Sequence, residues 1–230
     1  MKFDKFNIRP PQQRLNAFCD IFTEFLQVFT NHIIFLRGVY PNEAFQPQKF
    51  YGVPVQMCFV PDVIEYIESA CASLRRTILA YNLCHFGVAI LDVFGTAIER
   101  YVIDVETSDT PMASLSKPKS CGGNSQGWEK EMEALESEFR DCLLEMQQRL
   151  RDSVRNRVFD LKFHICVVTN VGEVRQLEDI GKPVKWVPTD FEFEPEGVEP
   201  IKEMAGPFLK LDIAREVAEP SVPRTPVVIN

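Results

Sequence analysis

At 230 residues with 45% apolar side chains, the chain is long enough to bury one continuous core, and one domain is the expected arrangement. Its 33 acidic against 25 basic residues leave a formal charge of -8, which excludes a broad nucleic-acid surface, because such a surface needs Lys and Arg to displace counterions from phosphates. No apolar run reaches bilayer length, Met1 to Arg9 shows no secretory pattern, and the cysteines (Cys19, Cys58, Cys71, Cys84, Cys121, Cys142, Cys166) form no CxxC pair, so a reducing compartment and no membrane are expected.

In chain order, Leu15, Phe18, Phe22, Phe25, Phe29, Ile33 and Leu36 recur at threes and fours, which predicts a buried amphipathic helix ended by Tyr40-Pro41-Asn42. After a loop, Val53 to Met57 is expected as an extended edge segment. A second helix is predicted from Pro61-Asp62, with the stripe Val63, Ile67, Cys71, Leu74 and Ile78. Phe86 to Phe94 and Ala97 to Val105 flank Gly95-Thr96 and predict an antiparallel hairpin. Thr107 to Gly127, rich in Ser, Pro and Gly, is expected to be a disordered surface loop. Met132, Leu135, Phe139, Leu143, Met146, Leu150 and Val154 then predict a third long helix over Trp128 to Val154.

Val158 to Thr169 has strand composition. Beyond it periodicity fades, yet Trp186, Phe191, Phe193, Ile201, Met204, Phe208, Leu211 and Ile213 keep the segment apolar, unlike a disordered tail. Lys185 to Phe193 and Phe208 to Ala214 are expected to be two strands joined by a Pro/Glu-rich crossing loop. The predicted class is therefore α+β, in one domain over 11–218: a core over about 11–170, an ordered but irregular segment over 171–218, and a Pro-rich tail over 219–230.

Catalytic patterns are missing. His32, His85 and His164 share no metal-ligand spacing, Gly122-Gly123 is not followed by the Lys-Ser/Thr of a phosphate loop, and neither GxSxG nor HExxH occurs. Carboxylate pairs such as Glu192/Glu194 fit a solvated acidic face, and the cluster Arg149, Arg151, Arg155, Arg157 fits a solvated helix end or a site for an acidic partner. A binding protein without a cofactor or metal is expected, not an enzyme.

Three stretches carry a resemblance: EFLQVFTNHIIFLRGVYPNEAFQPQKFYGVPVQM (Glu24 to Met57), PDVIEYIESACASL (Pro61 to Leu74), and KWVPTD with EPIKEMAGPFLKLDIARE (Lys185 to Asp190, Glu199 to Glu216). They resemble the HORMA-domain family, and within it the branch that supplies the non-catalytic subunit of translesion DNA polymerase zeta, related to the mitotic arrest deficient checkpoint proteins. The resemblance implies three long helices on an antiparallel sheet, with a C-terminal safety belt closing over a partner peptide. It further implies that this peptide is a proline-containing segment of the catalytic subunit of DNA polymerase zeta, and that the protein works in the nucleus in DNA damage tolerance. The same clasp in a spindle-checkpoint or meiotic-axis adaptor is the alternative.

Carried over by residue, the resemblance gives Tyr66 and Trp186 as peptide contacts, against the plainer readings of a core tyrosine and a sheet-packed tryptophan. Arg140 falls near a position used for HORMA homodimerisation, or is an ordinary exposed helix arginine. Vertebrate members dock the scaffold deoxycytidyl transferase of translesion synthesis with Leu, Gln and Tyr where this chain has Val198, Asp212 and Ala214. That substitution removes an aromatic anchor and adds a charge, so this second contact is expected to be absent or rebuilt.

Overall fold

A computed structural model describes residues 11–107, 125–150, 160–170, 186–187, 193–205 and 209–218. Helix α1 (Pro11–Leu36) starts on a proline, whose fixed φ and missing N–H suit a first turn. Its Phe18, Phe22, Phe25 and Phe29 are all fully buried. The helix stops before the expected proline. Gly38 takes φ 64°, and Gly38 N–H and Val39 N–H bond back to the carbonyls of Phe35 and Ile34 at 3.0 Å, a left-handed glycine cap.

Strands β1 (Phe45–Phe50) and β2 (Val53–Cys58) form a two-stranded antiparallel ribbon. Tyr51 and Gly52 turn it with φ 49° and 83°, the positive pair a tight hairpin demands. The expected second helix divides at Leu74 into α2 (Pro61–Ser73) and α3 (Arg75–Leu79), where Leu74 N–H bonds to Cys71 O in a tightened turn. Its apolar stripe remains buried throughout.

Strands β3 (Leu83–Leu91) and β4 (Ala97–Thr107) form the expected hairpin. The first strand ends at Leu91 because the Asp92 carboxylate accepts the N–H groups of Phe94 and Thr96, both at 2.9 Å, and folds the turn. Helix α4 (Ser125–Leu150) and strand β5 (Lys162–Thr169) follow; the predicted extensions to Val154 and back to Val158, and most of the polar loop, lie outside the described residues.

The C-terminal third departs from expectation. Its strands are β6 (Gly197–Ala205) and β7 (Leu209–Val217), so the first strand lies in the stretch expected to be a crossing loop. Trp186, Val187 and Phe193 belong to no strand, while the rest of Lys185–Phe193 lies outside the described residues. A register shift between Pro200 and Lys202 hides the period of two in β6, and its proline is tolerated because β6 is an edge strand.

The antiparallel sheet runs β5-β3-β4-β7-β6, with α1, α2 and α4 contributing to the same apolar core as its inner face. Phe25 of α1 stacks on Phe139 of α4 at 3.9 Å, and Phe29 meets Phe86 of β3 edge-on at 6.5 Å. Each such buried ring contributes roughly 1.5–3 kcal/mol. No described helix is long and apolar enough to cross a membrane.

Candidate functional site

The sheet has two edges, and they differ. At one, β6 is held by α4: Lys202 Nζ pairs with Glu138 at 3.1 Å and Arg149 donates to the Pro200 carbonyl. At the other, β5 pairs only with β3 among the described residues. Ile165 faces Val88 in the register, yet its N–H turns away from β3 to the Tyr66 hydroxyl of α2, at 3.1 Å. Antiparallel alternation turns the backbone groups of Phe163 and Val167 the same way. An open strand edge of this kind offers donors and acceptors to an incoming extended chain.

Aromatic side chains floor that edge. Tyr66, 40% exposed, meets Phe163 edge-on at 5.5 Å, and Tyr40 meets the same ring at 6.3 Å. Burial pushes the Tyr66 phenol above its ordinary value, so it stays protonated. Tyr66 is thus neither a core tyrosine nor a free one: its ring lines the edge and its hydroxyl satisfies one edge N–H.

Trp186 is fixed to the same helix. Its indole N–H donates to Ser73 Oγ at 3.0 Å, and that hydroxyl donates in turn to Ala70 O at 2.7 Å. Tyr66 and Ser73 stand two turns apart on α2, about 10 Å along the axis. Because β5 and β6 are at opposite edges, about 19 Å apart, the chain between Thr169 and Gly197 must cross the molecule. Trp186 pins that crossing to α2, and Phe193, further along, lies over the Arg100 guanidinium at 5.1 Å. Both predicted peptide residues are therefore anchored to α2, Tyr66 at the open edge and Trp186 two turns further along.

The far end of the crossing is fastened by charge. Glu99 of β4, 2% exposed, pairs with Arg37 beyond α1 and with Arg215 of β7 at 3.0 Å, and accepts the Tyr101 hydroxyl at 3.2 Å. Burial, then the Glu99 carboxylate, raise the Tyr101 phenol, keeping it a donor. Arg215 also reaches Glu199 of β6 at 3.1 Å.

The remaining predicted positions lie elsewhere. Val198, Asp212 and Ala214 share the outer face of the β6–β7 hairpin, since Val198 faces Glu216 and Pro200 faces Ala214 across it. Val198 is exposed, and the Asp212 charge is paired with Lys210 at 2.8 Å. Arg140 is on α4, half-exposed, bonding Ser137 Oγ at 2.6 Å and Asp141 at 3.3 Å. Of the basic cluster only Arg149 is described, and it bonds Pro200 and Glu145. No group of three His, Cys, Asp or Glu among the described residues is placed to hold a metal. Tyr40, Phe163, Ser73 and the Glu99 group were not singled out from sequence; the LRGVYP run containing Arg37 and Tyr40 was the one available signal.

The sequence profile of the HORMA domain matches residues 19–164, from α1 into β5. The chain belongs to the HORMA-domain family. Over 205 residues this HORMA protein is 27% identical to the mitotic spindle assembly checkpoint protein MAD2B of Gallus gallus, covering 84% of this chain and 88% of that one. It is 21% identical over 150 residues to DNA polymerase zeta subunit 2 of Drosophila melanogaster, covering 65% and 69%. Among solved structures, a chain of the mitotic checkpoint complex superposes with TM-score 0.66 at 18% identity, covering 88% of this chain and 99% of that one. HTP-2 of C. elegans bound to the HIM-3 closure motif gives 0.65 at 9% identity, covering 93% and 99%.

Proposed function

We propose that this HORMA protein is a non-catalytic adaptor that clasps a short proline-containing segment of the DNA polymerase zeta catalytic subunit, supporting translesion synthesis in the nucleus. The observation that carries the reading is the open β5 edge, floored by Tyr66 and Phe163, with Trp186 held to the same helix as Tyr66. An extended segment adds to β5 as a strand, its prolines fall on aromatic faces, and the crossing chain holds it in place. Similarity to DNA polymerase zeta subunit 2 supports the partner. In this reading Val198, Asp212 and Ala214 form a rebuilt surface for the scaffold deoxycytidyl transferase, and Arg140 serves a homodimer.

The test is fluorescence anisotropy of a labelled proline-spaced peptide from that catalytic subunit, wild type beside Trp186→Ala. Saturable binding, lost in the variant, is expected; no binding to the wild type overturns the reading. The second reading, a checkpoint or meiotic-axis adaptor, is favoured by the likeness to HTP-2 bound to a closure motif. Recovery of only checkpoint or axis proteins with the purified endogenous chain would establish it instead.

A further inference from the structure

We infer that Glu99, Arg215 and Arg37 form a buckle that sets how long a clasped peptide stays bound, without touching the peptide. The inference rests on the clasp proposed above. A crossing chain retains a ligand only while both its ends are fastened. One end continues directly from β5; the other depends on β7 staying paired with β4. That docking is a ladder of backbone bonds, the buried side chains Leu209, Leu211 and Ile213, the half-buried Arg100–Glu216 pair, and one buried charge group that brings together elements from four places: Arg37 after α1, Glu99 of β4, Arg215 of β7 and Glu199 of β6.

Removing a carboxylate from water costs several kcal/mol unless partners replace the solvent. Glu99 at 2% exposure has two guanidiniums and a phenol to do so. One of those guanidiniums belongs to the hairpin, so Glu99 is fully satisfied only with β7 docked. Undocking exchanges Arg215 for water at a site still built around Arg37, and that penalty slows release of the hairpin. Arg215, Arg37 and Glu99 are positioning residues for the clasp. The contact to Glu199, 61% exposed on its side, is a solvated rim pair and adds little.

The experiment measures association and dissociation of the labelled proline-spaced peptide for wild type, Arg215→Met and Glu199→Gln, with amide hydrogen exchange on the same proteins. Arg215→Met is expected to raise the dissociation rate about tenfold, to leave association within about twofold, and to speed exchange in β6 and β7 while β3 and β5 hold. Glu199→Gln should match the wild type. An unchanged dissociation rate in Arg215→Met overturns the buckle even though the wild type binds. If the wild type does not bind the peptide, the clasp fails separately, and selective exchange in β6 and β7 becomes the deciding readout; uniform or unchanged exchange sinks the buckle. Should Arg215→Met not fold, Arg215→Lys keeps the charge, loses the planar fork and carries the same expectation in weaker form.

Discussion

The β6 and β5 edges end the same sheet under opposite regimes. The β6 edge has a proline, a register shift, an ion pair to α4 and an arginine on one of its carbonyls. The β5 edge keeps its register with β3 from Lys162 to Val168 and has aromatic neighbours, with one N–H met by a side-chain hydroxyl. Strand edges are templates for unwanted pairing, and proteins blunt them with charge, proline and irregularity. The proline, the mid-strand register shift and the ties to α4 all fall on β6, whereas the register of β5 with β3 shifts only at its end, between Leu83 and His85. That contrast is what the proposed clasp uses: in that reading β5 is the edge that receives the ligand.

The comparison breaks most sharply at Trp186. Replacing it by Ala removes both an aromatic face and the pin to Ser73, and peptide affinity should fall at least 100-fold, about 3 kcal/mol or more. Trp186→Phe separates the two effects, since it keeps a ring and loses only the indole N–H; a loss near tenfold is expected from titration of the same peptide. Equal affinities for all three proteins would detach the crossing chain from binding.

Acid should test the closed side next. His32 of α1 donates from Nε2 to Leu143 O of α4 at 3.1 Å, so Nδ1 is the bare nitrogen, and it is buried without a partner. Burial lowers the imidazole from 6.5 to about 4. Between these values the unfolded chain binds a proton that the native chain refuses, so stability falls as pH drops from about 6.5 and the loss is complete near pH 4. The expected total is roughly 3 kcal/mol in urea unfolding. Since α4 backs β6, amide exchange in α4 and β6 should rise in acid ahead of β5. A pH-independent midpoint between 6.5 and 4 would remove His32 from this role.

How much of this was readable before folding follows from the same physics. Periodicities of 3.6 exposed α1, α2 and α4 because each buries one stripe, and the β3–β4 hairpin announced itself through Gly95 and Thr96, while the turn formed by Asp92 was read as strand. Strand β6 was invisible because Pro200 and the register shift break its alternation. Tyr66 and Trp186 were carried by resemblance, but nothing local says that Trp186 is anchored to the helix of Tyr66: Ser73 lies 113 positions from Trp186. The Glu99 group is more hidden still, since Arg37 and Arg215 are ordinary arginines until the topology brings them to one carboxylate.

Tyr66→Phe probes the open edge with a smaller change. The ring and its contact to Phe163 stay, while Ile165 N–H loses its acceptor beside solvent. Water can replace the hydroxyl in part, so the cost to stability should be about 1 kcal/mol, with faster exchange at Ile165. A ligand strand could use the freed N–H directly, so peptide affinity should change less for Phe than for Tyr66→Ala. Identical losses for both would place the hydroxyl, not the ring, at the contact.

The smallest effect is expected where the edge is already closed. Lys202→Ala deletes the pair with Glu138, whose side chain is 38% exposed, and such pairs contribute about 0.2–1 kcal/mol. The Glu138 hydrogen bond raises the ammonium pKa against the opposing effect of burial, so the charge is present at neutral pH. The substitution should lower stability within that range, lose its effect in high salt, and leave peptide affinity unchanged. An affinity loss at Lys202 matching that at Tyr66 would mean that the ligand uses β6, and the assignment of an open and a closed edge would have to be reversed.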